Sequence, residues 1–324
     1  MIYLDKTKKI KILELFGGIG APRVALRNLG VPVKSIDYIE IDEKAVRSYN
    51  SMFYDELEYK TQSVVGWDLK PDILIHGSPC QDFSIAGKQK GADPNSGTRS
   101  SLMWETLRII EQMGEWKPKI VIWENVKNAL SKHMKHNFDK YISYMDKLGY
   151  TSNYEILDAR DYGLPQARER VFTVSVLGGK KFNFSLMRKK EMADIWDFID
   201  DEFEKHHIVS QPSMLRRIEG TGSKFSGRVQ VIKDFAYTIT CKQMRCPNSG
   251  VIDIGNGQYR YLTERECWRL QGFSDIEYEA ALKVHPGREG KLNGALYKQA
   301  GNSIPVTILE SMFEILLESE LENE

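Results

Sequence analysis

Cysteine is scarce in this sequence of 324 residues. The four cysteines, Cys80, Cys241, Cys246 and Cys267, lie far apart, and no two form a Cys-x-x-Cys pair. This spacing argues against a disulfide framework and against a zinc site, whose ligands are closer together in sequence. No apolar run approaches the roughly 20 residues that a membrane-spanning helix needs, and the first residues lack the apolar stretch of a signal peptide. We therefore expect a cytoplasmic protein with no membrane segment.

Net charge is also lacking, because 45 basic and 45 acidic side chains balance. The distribution is nevertheless uneven, and acidic residues are concentrated after Leu309. Between residues 205 and 245, basic side chains exceed acidic ones by six; the basic residues are Lys205, Arg216, Arg217, Lys224, Arg228, Lys233, Lys242 and Arg245. A basic stretch is often a solvated face, so this pattern alone leaves nucleic-acid binding open.

The order of apolar runs predicts an α/β fold. Runs at 10–16, 35–41, 72–76 and 119–123 predict buried strands, and helical patterns follow them near 22–29, 43–49, 102–113 and 138–148. This alternation predicts a mostly parallel sheet with helices on both faces. After about residue 177 the sequence becomes irregular, glycine-dotted and basic, with one β-like run at 235–240. We predict one domain over 1–177 plus 259–324 and a smaller, irregular, β-rich domain over 178–258.

A glycine-rich loop, Phe16-Gly17-Gly18-Ile19-Gly20, follows the first predicted strand and precedes a helix. Glycine allows a ligand to approach the backbone, and a helix N-terminus offers N–H donors. Glu40 ends the next predicted strand, where an acidic side chain can bind ribose hydroxyls. The pattern fits a nicotinamide cofactor, a flavin or S-adenosylmethionine. A tight turn that binds nothing would also require the glycines.

Two further strand ends carry reactive side chains. Cys80 lies in the loop Gly77-Ser78-Pro79-Cys80-Gln81, where open α/β sheets place their ligands. A cysteine there is available for covalent catalysis, although a lone loop cysteine is usually inert. Glu124 ends the next predicted strand and could act as an acid if burial raised its pKa. The alternative is a carboxylate that only caps the following helix.

Two arginines precede the strand at 171–176. Arg168 and Arg170 are two residues apart, so an extended chain directs both to one face. Paired guanidinium groups suit a phosphate or the polar edge of a base.

Together and in this order, the motifs FGGIG, GSPCQDFS, ENV, QARER, LTERECWRLQGF and GNS resemble those of the DNA cytosine-5 methyltransferase family. The resemblance covers residues 10–177 and 259–317. It implies a Rossmann-like methyltransferase domain that uses S-adenosylmethionine, and a target-recognition domain at 178–258. It also implies double-stranded DNA as the substrate, a target cytosine flipped out of the helix, and no metal.

The resemblance implies a role for each catalytic residue. Cys80 would attack C6 of cytosine, Glu124 would supply a proton or hydrogen bond at N3, and Arg168 would steady O2. C5 would then accept the methyl group and lose its proton, and Cys80 would be eliminated.

The resemblance also implies two sets of binding residues. Where many family members have Asp before an apolar residue, this chain has Thr61-Gln62-Ser63-Val64-Val65, so the choice of Ser63 and Val64 is a departure from the family pattern. The cofactor residues are Phe16, Gly18, Gly20, Glu40, Ile41, Ser63, Val64, Pro79, Asn302 and Ser303. The DNA-binding residues are Arg170, Phe225, Arg228 and Thr238.

Three alternatives remain at this stage. A tRNA cytosine-5 methyltransferase of the same fold would share the chemistry, but the tRNA enzymes carry Pro-Pro-Cys-Gln and Cys-Phe-Thr, which this chain lacks. An oxidoreductase would explain the glycine loop but not Cys80 with Glu124. A catalytically inactive DNA-binding relative would not need the intact thiol and carboxyl. We expect a monomer, and a companion restriction endonuclease would not be required for activity.

Overall fold

The centre of the protein is a six-stranded sheet. The computed structural model describes residues 4–5, 8–54, 58–64, 71–77, 102–132, 134–220, 229–245 and 247–317. The strands lie in the order β2-β1-β3-β4-β7-β5, and only β7 runs antiparallel to its neighbours. They are β1 (Ile10–Leu15), β2 (Val33–Ile39), β3 (Ile73–His76), β4 (Ile120–Val126), β5 (Tyr150–Asp158) and β7 (Glu169–Leu177).

Alternate residues of the central strands face two separate cores. Ile10 and Ile12 of β1 belong to one buried cluster, whereas Leu13 and Leu15 belong to the other. A sheet that is buried on both faces needs apolar residues at nearly every position, which explains the mostly apolar sequences of β1, β3 and β4. One face packs against α1 (Ala21–Asn28), α2 (Glu43–Met52) and α9 (Val306–Leu316), and the other against α3 (Met103–Gln112) and α4 (Lys135–Lys147). The predicted α/β fold with helices on both faces is confirmed.

The carboxyl-terminal part of the chain, from Glu264 to Leu316, is mostly helical. Its helices are α6 (Glu264–Arg269), α7 (Asp275–Val284), α8 (Gly294–Asn302) and α9. The chain returns to its start there, because α9 packs on α1 and the Leu4 N–H donates to the Leu316 carbonyl oxygen at 3.1 Å. No helix within the described ranges is both long and apolar enough to cross a bilayer.

Strand β5 is absent from the sequence-based prediction. Strand β5 lies at the edge of the sheet, and its residues are mostly half-buried or exposed. An edge strand does not need an apolar run, and its sequence, Tyr-Thr-Ser-Asn-Tyr-Glu-Ile-Leu-Asp, contains none. Strand β7 was expected as a strand but not as an antiparallel one. Strand β4 also extends past Trp123 to Val126, so Glu124 lies inside the strand rather than after it.

The segment 178–258, called the recognition segment below, has little regular structure. It contains α5 (Pro212–Glu219), β8 (Ala236–Tyr237) and β9 (Val251–Gly255); β9 pairs antiparallel with β10 (Gln258–Tyr261). Strand β8 pairs parallel with the two-residue β6 (Gln166–Ala167). A small core gathers Val209, Met214, Ile218, Val229, Val251 and Tyr261. The earlier side chains Phe182, Phe184, Met187 and Ile195 belong to the larger core. The domain boundary at residue 178 stays a prediction.

Candidate active site

The loop between β1 and α1 is held in a left-handed backbone conformation. Phe16, Gly18 and Gly20 have φ angles of 55°, 55° and 75°. A Cβ at Gly20 would lie 2.6 Å from the Tyr49 ring, so only glycine fits there. A Cβ at Gly18 would meet nothing within 4 Å. The loop is therefore packed on its inner side at Gly20 and open at Gly18.

Glu40 fixes this loop from the end of β2. Its Oε2 accepts a hydrogen bond from the Gly18 N–H at 2.9 Å, and its Oε1 accepts from the N–H groups of Ile41 and Asp42, both at 2.8 Å. The side chain of Ile41 is 74% exposed although it is apolar. The structure thus brings together the predicted cofactor residues Phe16, Gly18, Gly20, Glu40 and Ile41.

The remaining predicted cofactor residues approach from two directions. The Gln62 N–H donates to the Glu40 carbonyl oxygen at 2.8 Å, which places Ser63 and the buried Val64 beside the end of β2. Asn302 ends α8 and is exposed, whereas Ser303 follows it and is buried. Pro79 lies outside the described residues.

A buried acid beneath the loop was missed by the sequence analysis. Glu14 of β1 is 1% exposed, and its Oε1 accepts a hydrogen bond from the Tyr49 hydroxyl at 3.0 Å. The Tyr49 oxygen in turn accepts from Nη1 of Arg23 at 2.7 Å. Burial raises the pKa of Glu14 to about 7, although the Arg23 charge and the Tyr49 hydrogen bond act in the opposite direction. The signal in the sequence was an acid between two leucines in a mostly apolar strand.

Glu124 lies near the carboxyl ends of β3 and β4 and the start of β7. Position 124 of β4 faces Phe172 of β7, and Val126 faces Arg170, so Glu124 and Arg170 are diagonal neighbours on one face of the sheet. The Arg170 Nε is 3.2 Å from Glu124 Oε1. A Cβ placed on Gly77, directly after β3, would lie 3.7 Å from Glu124 Oε2. The carboxyl group therefore adjoins the start of the Gly77–Gln81 loop.

Burial raises the pKa of Glu124, and the positive charges of Arg170 and Arg168 partly oppose this shift. A carboxyl group in these surroundings holds its proton to a higher pH than a carboxyl group in water. This is the direction of shift that favours donation of a proton or a hydrogen bond, as the sequence analysis expected of Glu124.

The two arginines differ in their contacts. Arg168 is 2% exposed, and its guanidinium donates to the carbonyl oxygens of Ile239 at 2.9 Å, Gly301 at 3.1 Å and Ser303 at 2.7 Å. The prediction gave Arg168 the contact with the base and Arg170 a contact with DNA. The two side chains therefore differ in their surroundings, because Arg170 adjoins the Glu124 carboxyl group while both terminal nitrogens of Arg168 donate to main-chain carbonyl oxygens. Their roles toward the base and the DNA stay predictions.

Thr238 is the one predicted DNA-binding residue of the recognition segment that lies in a described range. Its hydroxyl donates to the Ala167 carbonyl oxygen at 2.7 Å, beside the short β6–β8 pairing. Phe225 and Arg228 lie outside the described residues, and so does Cys80, the predicted nucleophile.

Comparison with known proteins agrees with this arrangement. The family model for C-5 cytosine-specific DNA methylases matches residues 10–318. The type II methyltransferase M2.ScrFI of Lactococcus lactis subsp. cremoris is 30% identical, with 96% of this chain and all of the relative covered. The type II methyltransferase M.HhaI of Haemophilus parahaemolyticus is also 30% identical, over 93% of this chain and 92% of the relative.

Among solved structures, the S. pombe Dnmt2 methyltransferase matches with a TM-score of 0.73 at 20% identity. That match covers 95% of this chain and 98% of the other, and at this identity it shows the fold alone. The chain belongs to the C-5 cytosine-specific DNA methylase family. It is an enzyme that methylates cytosine in DNA at C5.

Proposed function

We propose that the enzyme flips a cytosine out of double-stranded DNA and methylates it through a covalent bond between Cys80 and C6. The observation that carries the proposal is the position of Gly77 beside the Glu124 carboxyl group. Cys80 follows Gly77 by three residues, and three residues of chain span at most about 11 Å. The chain therefore allows the Cys80 sulfur to come within reach of the acid, and we propose that both act in one site.

The electron flow assigns a task to each residue. The Cys80 thiolate adds to C6 and displaces the electron pair of the C5–C6 double bond. The negative charge that this puts on the ring is stabilised as the Glu124 carboxyl group gives its proton to N3. C5 then has carbanion character and would accept the methyl carbon as its bond to the sulfonium sulfur breaks, with the electron pair of that bond left on sulfur. Loss of the C5 proton to a base and elimination of the Cys80 sulfur restore the C5–C6 double bond, and the N3 proton returns to Glu124. The overall reaction therefore releases one proton, which comes from C5.

Arg170 supports the acid in this scheme. Its guanidinium, 3.2 Å from Glu124 Oε1, orients the carboxyl group and can reach a base edge placed against it. Arg168 adds positive charge nearby, but both of its terminal nitrogens donate to main-chain carbonyl oxygens. The O2 contact therefore fits Arg170 better than Arg168.

The residues of the cofactor loop fit S-adenosylmethionine. When bound, it supplies an electrophilic methyl group on a sulfonium. Gly18 leaves open space above the loop, where a ligand can approach the backbone. Glu40 lies next to this space, and its Oε2, which accepts from the Gly18 N–H, can accept a further hydrogen bond, here from ribose. Ile41 offers an exposed apolar surface for adenine, Ser63 and Val64 flank the same end of β2, and Pro79, Asn302 and Ser303 complete the proposed pocket.

The recognition segment is our candidate for choosing the DNA sequence. Its excess of positive charge suits a phosphate backbone, and Arg228, Phe225 and Thr238 are the proposed contacts with the target. We propose that the enzyme acts as a monomer and works without a companion restriction endonuclease.

Trapping with 5-fluorocytosine tests the nucleophile. Fluorine at C5 cannot leave as a proton does, so a duplex with this base in the methylated site should form a stable covalent adduct with the native enzyme. The Cys80→Ser variant should form none, and its methylation of the unmodified duplex should fall by at least about 100-fold. A serine variant that methylates at near the native rate would disprove the mechanism. A parallel assay with tRNA and labelled S-adenosylmethionine should show no transfer.

A further inference from the structure

Arg168 joins two parts of the chain that are distant in sequence. One guanidinium nitrogen, Nη1, donates to the Ile239 carbonyl oxygen in the recognition segment. The other, Nη2, donates to the carbonyl oxygens of Gly301 and Ser303, at the end of α8. Three main-chain acceptors are thus satisfied by one buried side chain, and within the described residues no strand pairing joins residue 239 to the end of α8.

The contact region of Arg168 with Ile239, Gly301 and Ser303, called the Arg168 junction below, is tightly packed. A Cβ at Gly301 would lie 2.2 Å from the carbonyl carbon of Thr240 and 2.3 Å from the Cys241 nitrogen. On the opposite side, Gln166 Oε1 accepts from the Ile239 N–H at 3.0 Å and the Thr238 hydroxyl donates to the Ala167 carbonyl oxygen. A shift of residues 238–241 is therefore transmitted to α8 and to the residues that lead into β7.

The helix α8 also contacts the proposed cofactor side. Gln299 donates through Nε2 to the Lys44 carbonyl oxygen at 2.9 Å and accepts from the Ser48 hydroxyl at 3.0 Å. Lys298 forms an ion pair with Asp42, whose N–H donates to Glu40. One rigid helix thus reaches from the turn after Glu40 to the Arg168 junction.

We propose that Arg168 is a positioning residue that couples cofactor binding to DNA binding. A cofactor that orders the Glu40–Asp42 turn fixes α8, and α8 fixes residues 239–241 of the recognition segment through Arg168. Coupling between two sites is reciprocal, so DNA bound to the recognition segment raises the affinity for cofactor by the same factor. This inference rests on the proposed function, because it requires both ligands to bind where we place them.

Arginine suits this task better than lysine. Its planar guanidinium has five donors in a fixed fork, whereas the lysine ammonium is a point charge on a flexible chain. An Arg168→Lys substitution therefore keeps the positive charge near Glu124 but cannot span Ile239 and Ser303 together. The coupling should be lost while the charge that acts on the acid is kept.

The test is a thermodynamic cycle on the full-length enzyme. Bisulfite sequencing of plasmid DNA from expressing cells first identifies the methylated site; absence of any methylated site would refute the proposed function before the coupling is measured. The affinity of S-adenosylhomocysteine is then measured with and without a duplex that carries this site. We expect the duplex to tighten binding by about 5-fold or more in the native enzyme, within the usual range of coupling. The Arg168→Lys variant should show a ratio near one.

Two further variants separate coupling from folding. Arg265→Lys alters an arginine whose partners are Asp275 and Glu279, away from the junction, and should keep the native ratio. Thr238→Val removes one hydrogen bond of the junction and should lower the ratio; it decides the matter if Arg168→Lys does not fold. A merely structural Arg168 would weaken both affinities and leave their ratio unchanged. A native ratio near one, or an Arg168→Lys variant with the native ratio, would overturn the proposal.

Discussion

At the scale of single residues, Glu124 depends on a balance between burial and charge. Burial raises its pKa, and Arg170 and Arg168 limit the rise. An acid that is too well paired would not release a proton to the base, and one that is too poorly paired would not take it back. In the proposed mechanism, the contact with Arg170 would therefore act on the chemistry as well as on the fold.

Glu124→Gln should slow methyl transfer far more than it weakens DNA binding. The amide cannot give a proton to N3, and general acid catalysis typically contributes about 100-fold or more. We expect a loss of that size in single-turnover rate, with a dissociation constant for DNA within about threefold of native. Glu169→Gln is the matched control, because Glu169 is exposed and pairs with Lys127 instead. Parallel losses of binding and rate would indicate a structural role.

Glu14 illustrates a different use of burial. The folded protein raises its pKa from 4.5 to about 7, so folding favours the protonated acid. The stability that this group contributes is complete below pH 4.5 and is lost as the pH rises through about 7.

Glu14→Gln should remove this part of the pH dependence. The amide oxygen can still accept from the Tyr49 hydroxyl and carries no charge. As the pH rises from 4.5 to 8, the free energy of unfolding of the variant minus that of the native protein should increase by about 2–4 kcal/mol, at about 1.4 kcal/mol per pKa unit. Urea unfolding at several pH values measures it, with Glu155→Gln on the exposed edge strand as control. A difference between variant and native that does not change with pH would contradict the assignment.

At the scale of elements, apolar runs and loop motifs were sufficient to predict β1 to β4 and the edge where the site lies. They could not show β5, whose polar residues suit an edge strand, nor the direction of β7, which depends on pairing between distant segments. The different surroundings of Arg168 and Arg170 were equally hidden. The carbonyl oxygens at 239, 301 and 303 that accept from Arg168 leave no trace in a residue pattern.

Gly301 in α8 should tolerate no side chain. An added methyl group would collide with main-chain atoms of Thr240 and Cys241, which cannot rotate away as a side chain can. We expect Gly301→Ala to cost about 1–3 kcal/mol, as overpacking usually does, and to lower methyl transfer. Gly287→Ala is the control, since a Cβ there meets nothing within 4 Å. Equal thermal unfolding midpoints for the two variants would show that the main chain of Thr240 and Cys241 can move to make room for the methyl group.

At the scale of the whole molecule, the protein combines a layered α/β unit with an irregular basic segment that contributes to a second, small core. Exchange of residues 178–258 for those of a relative with known specificity should transfer the methylation pattern of that relative. Exchange of 205–258 alone should do the same, because Phe182 to Ile195 pack into the larger core. Bisulfite sequencing reads the result. An active hybrid with its original pattern would place sequence choice elsewhere.

The hydrogen bond between Leu4 and Leu316 has a topological consequence. The recognition segment now interrupts the larger unit, but the beginning and end of that unit touch. A short linker from residue 317 to residue 4, with the chain opened at the exposed Asn256-Gly257 turn, would yield a circular permutant. In this permutant the methylating unit is continuous and the recognition segment is appended at its end. We expect it to mark the same DNA sites as the natural order of the chain.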